Sequence, residues 1–253
     1  METTMSLPDL TAKVVLVDIE GTTTSISFVH DVLFPYAKKN AAEYLHQTWA
    51  TDETKQIVTD LQQYLEFNEY VESLESPHDE TQNLIAGFVD YLIDKDLKLT
   101  PLKTLQGLIW AKGYESGELK GHVYEDVALA FETWRKAGIQ IAVYSSGSVA
   151  AQKLIFQHSI AGNLLQHLSA HFDTHVGHKQ QSESYTKIAL SLAVEPQHVL
   201  FLSDVPGEAA AARDAGMLTI LLQRPGNAPL TEEQQSAFVV IDDFSSLHAI
   251  KLP

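Results

Sequence analysis

A change of periodicity constrains this chain more than any other feature. Val14–Val17 is a short, β-branched run and reads as a buried strand. From about Phe28 to about Gly113 strand signals vanish. Apolar residues there recur at helical spacing: Val32, Leu33 and Tyr36; Ile57, Leu61, Tyr64 and Leu65; Leu84, Phe88, Tyr91 and Leu92; Leu102, Leu105, Leu108 and Ile109. Thr51-Asp52, Ser76-Pro77 and Thr100-Pro101 read as helix starts.

After Gly121, helix and strand alternate. A helix from about Val127 to Ala137 stops at Gly138, a residue suited to the left-handed position that closes a helix. Strand Ile139–Tyr144, the loop Ser145–Ser148 and a helix to about His158 follow. A weaker strand, Phe172–Val176, precedes a helix from about Glu183 to Ala193. Strand Val199–Leu202, helix Pro206–Ala215, strand Leu218–Leu222, the loop Arg224-Pro-Gly-Asn227, strand Phe238–Ile241 and a short helix complete the chain. Strands alternating with helices imply a parallel sheet with helices on both faces. The expected class is α/β, a Rossmann-like parallel-sheet core with an inserted all-helical cap. The core takes residues 8–26 and 118–253 and the cap 27–117, joined through Ser25–Ser27 and Gly113–Gly121.

The chain has 253 residues, of which 45% are hydrophobic, enough for a core of this kind. No stretch reaches the run of about 18 apolar residues that a membrane span needs. The first ten residues, METTMSLPDL, hold no Lys, no Arg and no apolar segment of signal type. Cysteine is absent, which excludes disulfides and thiolate metal sites and suits a cytoplasmic location, with nuclear access open in a eukaryote. A formal net charge of −16 repels nucleic acid and anionic membranes. An anionic small substrate would need local positive charge.

In open parallel sheets, ligands bind outside the carboxyl ends of the strands. Asp18 and Glu20 follow the first strand. Ser145, Ser146, Gly147 and Ser148 follow the second. Gly177-His178-Lys179 follows the third, and Ser203 and Asp204 end the fourth. Polar residues after any single strand are adequately explained as turn and cap residues. Four loops supplying such groups to one edge ask for more. Like carboxylates repel at close range, so Asp18 and Asp204 can share one hard cation, by preference Mg²⁺. Lys179 and the Ser145-Ser146-Gly147 loop would grip phosphate oxygens, the arrangement phosphoryl transfer requires.

The motifs D-I-E-G-T-T, Y-S-S-G-S, G-H-K and F-L-S-D-V-P-G-E-A, in this order and spacing, resemble those of the haloacid-dehalogenase-like superfamily. With V-A-A-Q-K-L, G-H-K-x-x-S-E-S-Y and the R-P-G-N-A loop, nearly the whole chain looks like the enolase-phosphatase (acireductone synthase) family within it. The resemblance implies that Asp18 is a nucleophile forming an aspartyl-phosphate and that Glu20 protonates the leaving oxygen and later activates water. It implies phosphate binding by Ser145, Ser146 and Lys179. It further implies one Mg²⁺ per chain on Asp18, Glu20 and Asp204, where position 20 usually contributes its backbone carbonyl. Relatives that expel halide lack an acid like Glu20, so its presence favours phosphate esters. The implied reaction enolises 2,3-diketo-5-methylthiopentyl 1-phosphate and dephosphorylates it to acireductone in methionine salvage, in a monomer. A general small-metabolite phosphatase and a non-catalytic phosphometabolite-binding protein are the competing readings. A pure binder has no use for the Asp18–Glu20 pair.

Other features have plainer explanations. His171, His175 and His178 are spaced as a zinc site could be, but no cysteine assists and carboxylates dominate the site. Trp49, Trp110 and Trp134 sit at helical apolar positions, as packing residues do. Thr22 caps the turn after the first strand or touches phosphate. The acidic stretch Glu66 to Glu80 reads as a solvated face. Glu208 reads as a first-turn acid that suits the helix dipole rather than as a further acid near the metal. No G-x-G-x-x-G follows the first strand, and no P-loop is present.

Overall fold

Strand β1 (Val14–Val17) lies inside a six-stranded sheet, and all four of its residues are fully buried. The structure is a computed structural model that describes residues 10–75, 81–247 and 250–251. The other strands are β2 (Gln140–Tyr144), β3 (Ala170–Phe172), β4 (Val199–Ser203), β5 (Leu218–Leu222) and β6 (Val239–Ile241). Their order is β3-β2-β1-β4-β5-β6, and every neighbouring pair is parallel. A strand covered on both faces has no solvent side, so V-V-L-V is apolar throughout instead of alternating.

Helices Ser182–Ser191 and Pro206–Asp214 bring Tyr185, Ile188, Ala211 and Ala212 into one cluster with Val14, Leu16, Tyr144 and Phe201. Phe131 and Trp134, on helix Glu125–Lys136, pair with Phe156 and Phe244 respectively, with ring centroids 5.9 and 5.4 Å apart. The buried Trp134 indole N–H donates to the Leu247 carbonyl at 3.0 Å. Each such aromatic or branched side chain contributes about 1.5–3 kcal/mol when fully buried. Together they make the sheet a stiff support for the loops at its ends.

The chain divides into two units, residues 1–27 with 120–253, and residues 28–119. The second unit is helical, with helices Phe34–Thr48, Asp52–Leu61, Leu65–Ser73, Thr81–Asp94 and Thr100–Ser116. Leu45, Leu61, Ile85, Phe88, Leu92 and Leu105 form its own fully buried core. Thr51 caps the Asp52–Leu61 helix, its hydroxyl accepting the Thr54 N–H at 3.2 Å. Pro101 stands in the first turn of the last helix, and Gly117 closes that helix in the left-handed conformation, φ +80°. The helix start expected at Ser76-Pro77, and the end of the acidic stretch, lie outside the described residues.

Two elements depart from the sequence reading. The third strand is Ala170–Phe172, not Phe172–Val176. Asp173 Oδ1 accepts the His175 N–H at 3.0 Å and pairs with its ring Nδ1 at 2.7 Å, so the chain turns at Asp173 and leaves the sheet. Gly113 is not part of a linker. It lies inside helix Thr100–Ser116, where a Cβ would come within 2.6 Å of the Tyr36 ring. This glycine serves packing within the helical unit.

Candidate active site

The sheet order reverses beside β1: β2 and β3 lie on one side, and β4, β5 and β6 on the other. The crevice between β1 and β4 is thus the switch point at which open α/β sheets take their ligands. Asp18 follows β1 directly, and its N–H donates to the Leu202 carbonyl of β4 at 2.9 Å. Asp204 follows β4 directly. The register Val17↔Leu202 puts the two acids at the same edge.

The Asp18 side chain is almost fully buried. Its Oδ1 accepts the Ile19 N–H at 2.7 Å, and its Oδ2 lies 2.7 Å from Lys179 Nζ. The chain then turns sharply. The Ile19 carbonyl accepts from the N–H groups of Thr22, Thr23 and Thr24, and the Gly21 N–H donates to the Thr24 carbonyl at 2.8 Å. Glu20 rides on this turn, half-buried. Gly21 takes φ +72°, and a Cβ on it would collide with the Asp204 carboxylate. Glycine is required there for both reasons.

Lys179 lies in the loop between β3 and helix Ser182–Ser191 and is 8% exposed. Its ammonium bridges Asp18 Oδ2 and Glu208 Oε2, each at 2.7 Å. Burial alone would lower this ammonium, but Asp18 and then Glu208 hold its pKa above the ordinary lysine value. The loop is fixed from the core. Tyr185 donates its hydroxyl to the Lys179 carbonyl at 2.6 Å, and Tyr144 donates to the Gly177 carbonyl at 3.0 Å.

Glu208 corrects the sequence reading. It does occupy the first turn of helix Pro206–Asp214, but it is buried and points to Lys179. Ser203 Oγ donates to Glu208 Oε2 at 2.9 Å and accepts the Val205 N–H at 3.1 Å. The missed signal was position: Glu208 is the third residue of a helix that starts at Pro206, and helical side chains tilt towards the N-terminus, which here adjoins the end of β4.

Ser145 is buried at the end of β2, its Oγ accepting the Gly147 N–H at 3.3 Å, and Ser146 beside it is exposed. Gln152 steadies this loop by donating to the Gly147 and Phe172 carbonyls at 2.9 and 2.8 Å. Ser148 caps helix Val149–Gln157.

The geometry around Asp204 fits a hard cation. Its Oδ1 is buried and has no hydrogen-bond partner among the described residues. Burial first, and the charge of Asp18 second, push its pKa up to about 7. Both features are what a carboxylate shows where a positive charge belongs. Among the described residues no three His, Asp or Glu side chains group to hold a metal by themselves. Asp18 and Asp204 could supply side-chain oxygens to such a cation, with the Glu20 backbone carbonyl beside them. The three histidines each have other partners. His171 Nδ1 pairs with Gln152 Oε1 at 3.3 Å, His175 pairs with Asp173, and His178 Nδ1 accepts the Gln180 N–H at 3.2 Å.

A parallel sheet with acids at its switch point, and a buried lysine paired with Asp18 and Glu208, is an arrangement suited to phosphoryl transfer. The family model of haloacid dehalogenase-like hydrolase matches residues 12–216. The chain is 74% identical to Enolase-phosphatase E1 of Drosophila virilis over 98% of this chain and 100% of that protein. It is 71% identical to Enolase-phosphatase E1 of Drosophila mojavensis over the same shares. The crystal structure of UTR4 protein from Saccharomyces cerevisiae superposes with a TM-score of 0.75 at 33% identity, over 92% of this chain and 99% of that one. The chain belongs to the haloacid dehalogenase-like hydrolases, and it is a phosphatase enzyme similar to the enolase-phosphatases among them. No helix among the described residues is long and apolar enough to cross a membrane.

Proposed function

We propose that this enzyme converts 2,3-diketo-5-methylthiopentyl 1-phosphate into acireductone and phosphate, using Mg²⁺, as one step of methionine salvage. The observation that carries the reading is the buried set at the β1–β4 crevice: Asp18 and Glu208 joined through Lys179, with Asp204 alongside. Similarity to two enolase-phosphatases above 70% identity supports the substrate.

Asp18 Oδ2 attacks phosphorus, and the ester oxygen departs, leaving an aspartyl-phosphate. That oxygen is then at its most basic, and Glu20 delivers a proton to it. Glu20, now a carboxylate, takes a proton from the water that attacks phosphorus, and the bond from phosphorus to Asp18 Oδ2 breaks, releasing phosphate and the free carboxylate. Lys179 and Ser145, with Ser146 at the loop's tip, hold the phosphoryl oxygens, so charge is neutralised without moving the groups that neutralise it. Lys179 is bound to Asp18 in the free enzyme. A phosphate oxygen takes over part of that pairing, which releases the carboxylate as nucleophile. Asp18, Asp204 and the Glu20 carbonyl would hold Mg²⁺, which supplies a Lewis acid for negative charge on the substrate oxygens. Glu20 in its carboxylate form is a candidate base for the earlier enolisation: it would take the carbon-bound proton and then hold it for the leaving oxygen, the two transfers being sequential.

The test follows ultraviolet absorbance for the enol and released phosphate in one sample of the diketo phosphate, with and without Mg²⁺. Both signals are expected to require the cation, with the enol appearing before or together with phosphate. Asp18→Asn is expected to end phosphate release while leaving the melting temperature near wild type. Phosphate release without an enol, with faster turnover of unrelated esters, would replace the reading by a general phosphatase.

A further inference from the structure

We infer that the turn Arg224-Pro225-Gly226-Asn227, after β5, is a positioning device that holds the backbone carrying Glu20. This rests on the reading of Glu20 as proton donor. Pro225 and Gly226 occupy the centre of the turn, Gly226 at φ +89°, and the Asn227 N–H closes it on the Arg224 carbonyl at 3.1 Å. Proline second and a left-handed glycine third are the signature of a type II turn. Nothing lies within 4 Å of where a Gly226 Cβ would be, so the glycine is there for its conformation.

The turn's two corner residues reach two consecutive carbonyls of the segment after Asp18. Asn227 Nδ2 donates to the Gly21 carbonyl at 2.9 Å, and Arg224 Nε donates to the Thr22 carbonyl at 3.1 Å. The next carbonyl, of Thr23, accepts the Tyr124 N–H at 3.1 Å. Three successive carbonyls beginning directly after Glu20 are thus held from outside their own turn. Hydrogen bonds within the turn fix its shape; these three fix where it sits.

Arg224 is itself fixed. It is 4% exposed and forms a bidentate pair with Asp126, Nη1 to Oδ1 at 2.9 Å and Nη2 to Oδ2 at 2.7 Å. Asp126 Oδ2 also accepts the Phe244 N–H at 2.7 Å. The guanidinium carbon lies 4.3 Å from the Tyr124 ring centroid and 4.9 Å from that of Phe244. A planar fork can serve Asp126 with two nitrogens and Thr22 with a third; the single ammonium of lysine cannot.

The test compares Arg224→Lys, Asn227→Ala and Glu20→Gln on two substrates. One is the diketo phosphate, which draws on Glu20 as base for enolisation and as proton donor to the leaving alkoxide. The other is 4-nitrophenyl phosphate, whose leaving phenolate departs without one. The quantity read is kcat/KM, which covers steps up to phosphoryl transfer and omits hydrolysis of the aspartyl-phosphate. In Arg224→Lys and Asn227→Ala, kcat/KM on the diketo phosphate is expected to fall by about tenfold or more, and on the aryl ester by less than about threefold. Glu20→Gln should show the same selectivity, more strongly. Equal losses on both esters, or no loss, would mean that the turn only stabilises the fold, and would overturn the proposal. If Glu20→Gln itself shows no selectivity, the proton-donor reading falls and the proposal with it. Asn227→Ala leaves the Arg224–Asp126 pair intact, so it decides the matter where Arg224→Lys is not recovered folded.

Discussion

Three carboxylates, Asp18, Asp204 and Glu208, meet at one end of the sheet, and Lys179 bridges two of them. Burial and the charge of Asp18 raise both Asp204 and Glu208, as expected where negative charge exceeds positive. His171 is the opposite case, a base kept neutral. Burial first, and Lys153 second, lower its pKa to about 4 from the ordinary 6.5. Below the ordinary value the unfolded chain takes a proton that the folded chain refuses. Stability present above about pH 6.5 is therefore lost as pH falls towards 4. His171→Gln is expected to shrink the difference in urea midpoint between neutral and acid buffers; an unchanged difference would remove His171 as its source. Among site residues, those adjoining strand ends were legible in sequence because β1 and β4 could be located there. Glu208 was obscured by a sufficient plain explanation for acids in a first helical turn. The Arg224-Pro-Gly-Asn227 loop was visible in sequence, but the contacts of Arg224 were not, because Asp126 and Thr22 lie 98 and 202 positions away.

At the scale of elements, the alternation after Gly121 was readable because helix and strand periods differ. The misplaced β3 shows the limit, since a single aspartate capturing two groups of His175 ends a strand that propensity would continue. Gly121 exerts a similar local control. Its N–H donates to the His158 carbonyl at 2.9 Å and its carbonyl accepts the Ile160 N–H at 2.8 Å. A Cβ here would strike the carbonyl oxygen of Ile155, in helix Val149–Gln157. Backbone cannot swing aside as a side chain can, so Gly121→Ala should cost about 1–3 kcal/mol. Gly107 is the matched control, inside helix Thr100–Ser116 with nothing within 4 Å of its missing Cβ. Gly107→Ala should stabilise by about 0.5–1 kcal/mol by reducing the freedom of the unfolded chain. Urea midpoints of the two variants moving in opposite directions would verify the pair; a common direction would refute it.

At the scale of the molecule, the net charge of −16 opposes the substrate that the site is proposed to bind. Charges on exposed side chains act through water, where the screening length is about 10 Å at 0.1 M salt. Lys179 acts from inside, with its side chain 9% exposed, and salt reaches it far less. Raising salt should therefore remove more repulsion than attraction. At fixed saturating Mg²⁺, kcat/KM for the diketo phosphate is expected to rise about two- to fivefold between about 20 and about 200 mM KCl. The kcat should change little, because chemistry takes place among buried groups. A fall in kcat/KM would mean that a local positive field around the crevice outweighs the whole molecule's charge, and that the substrate is drawn in rather than merely tolerated.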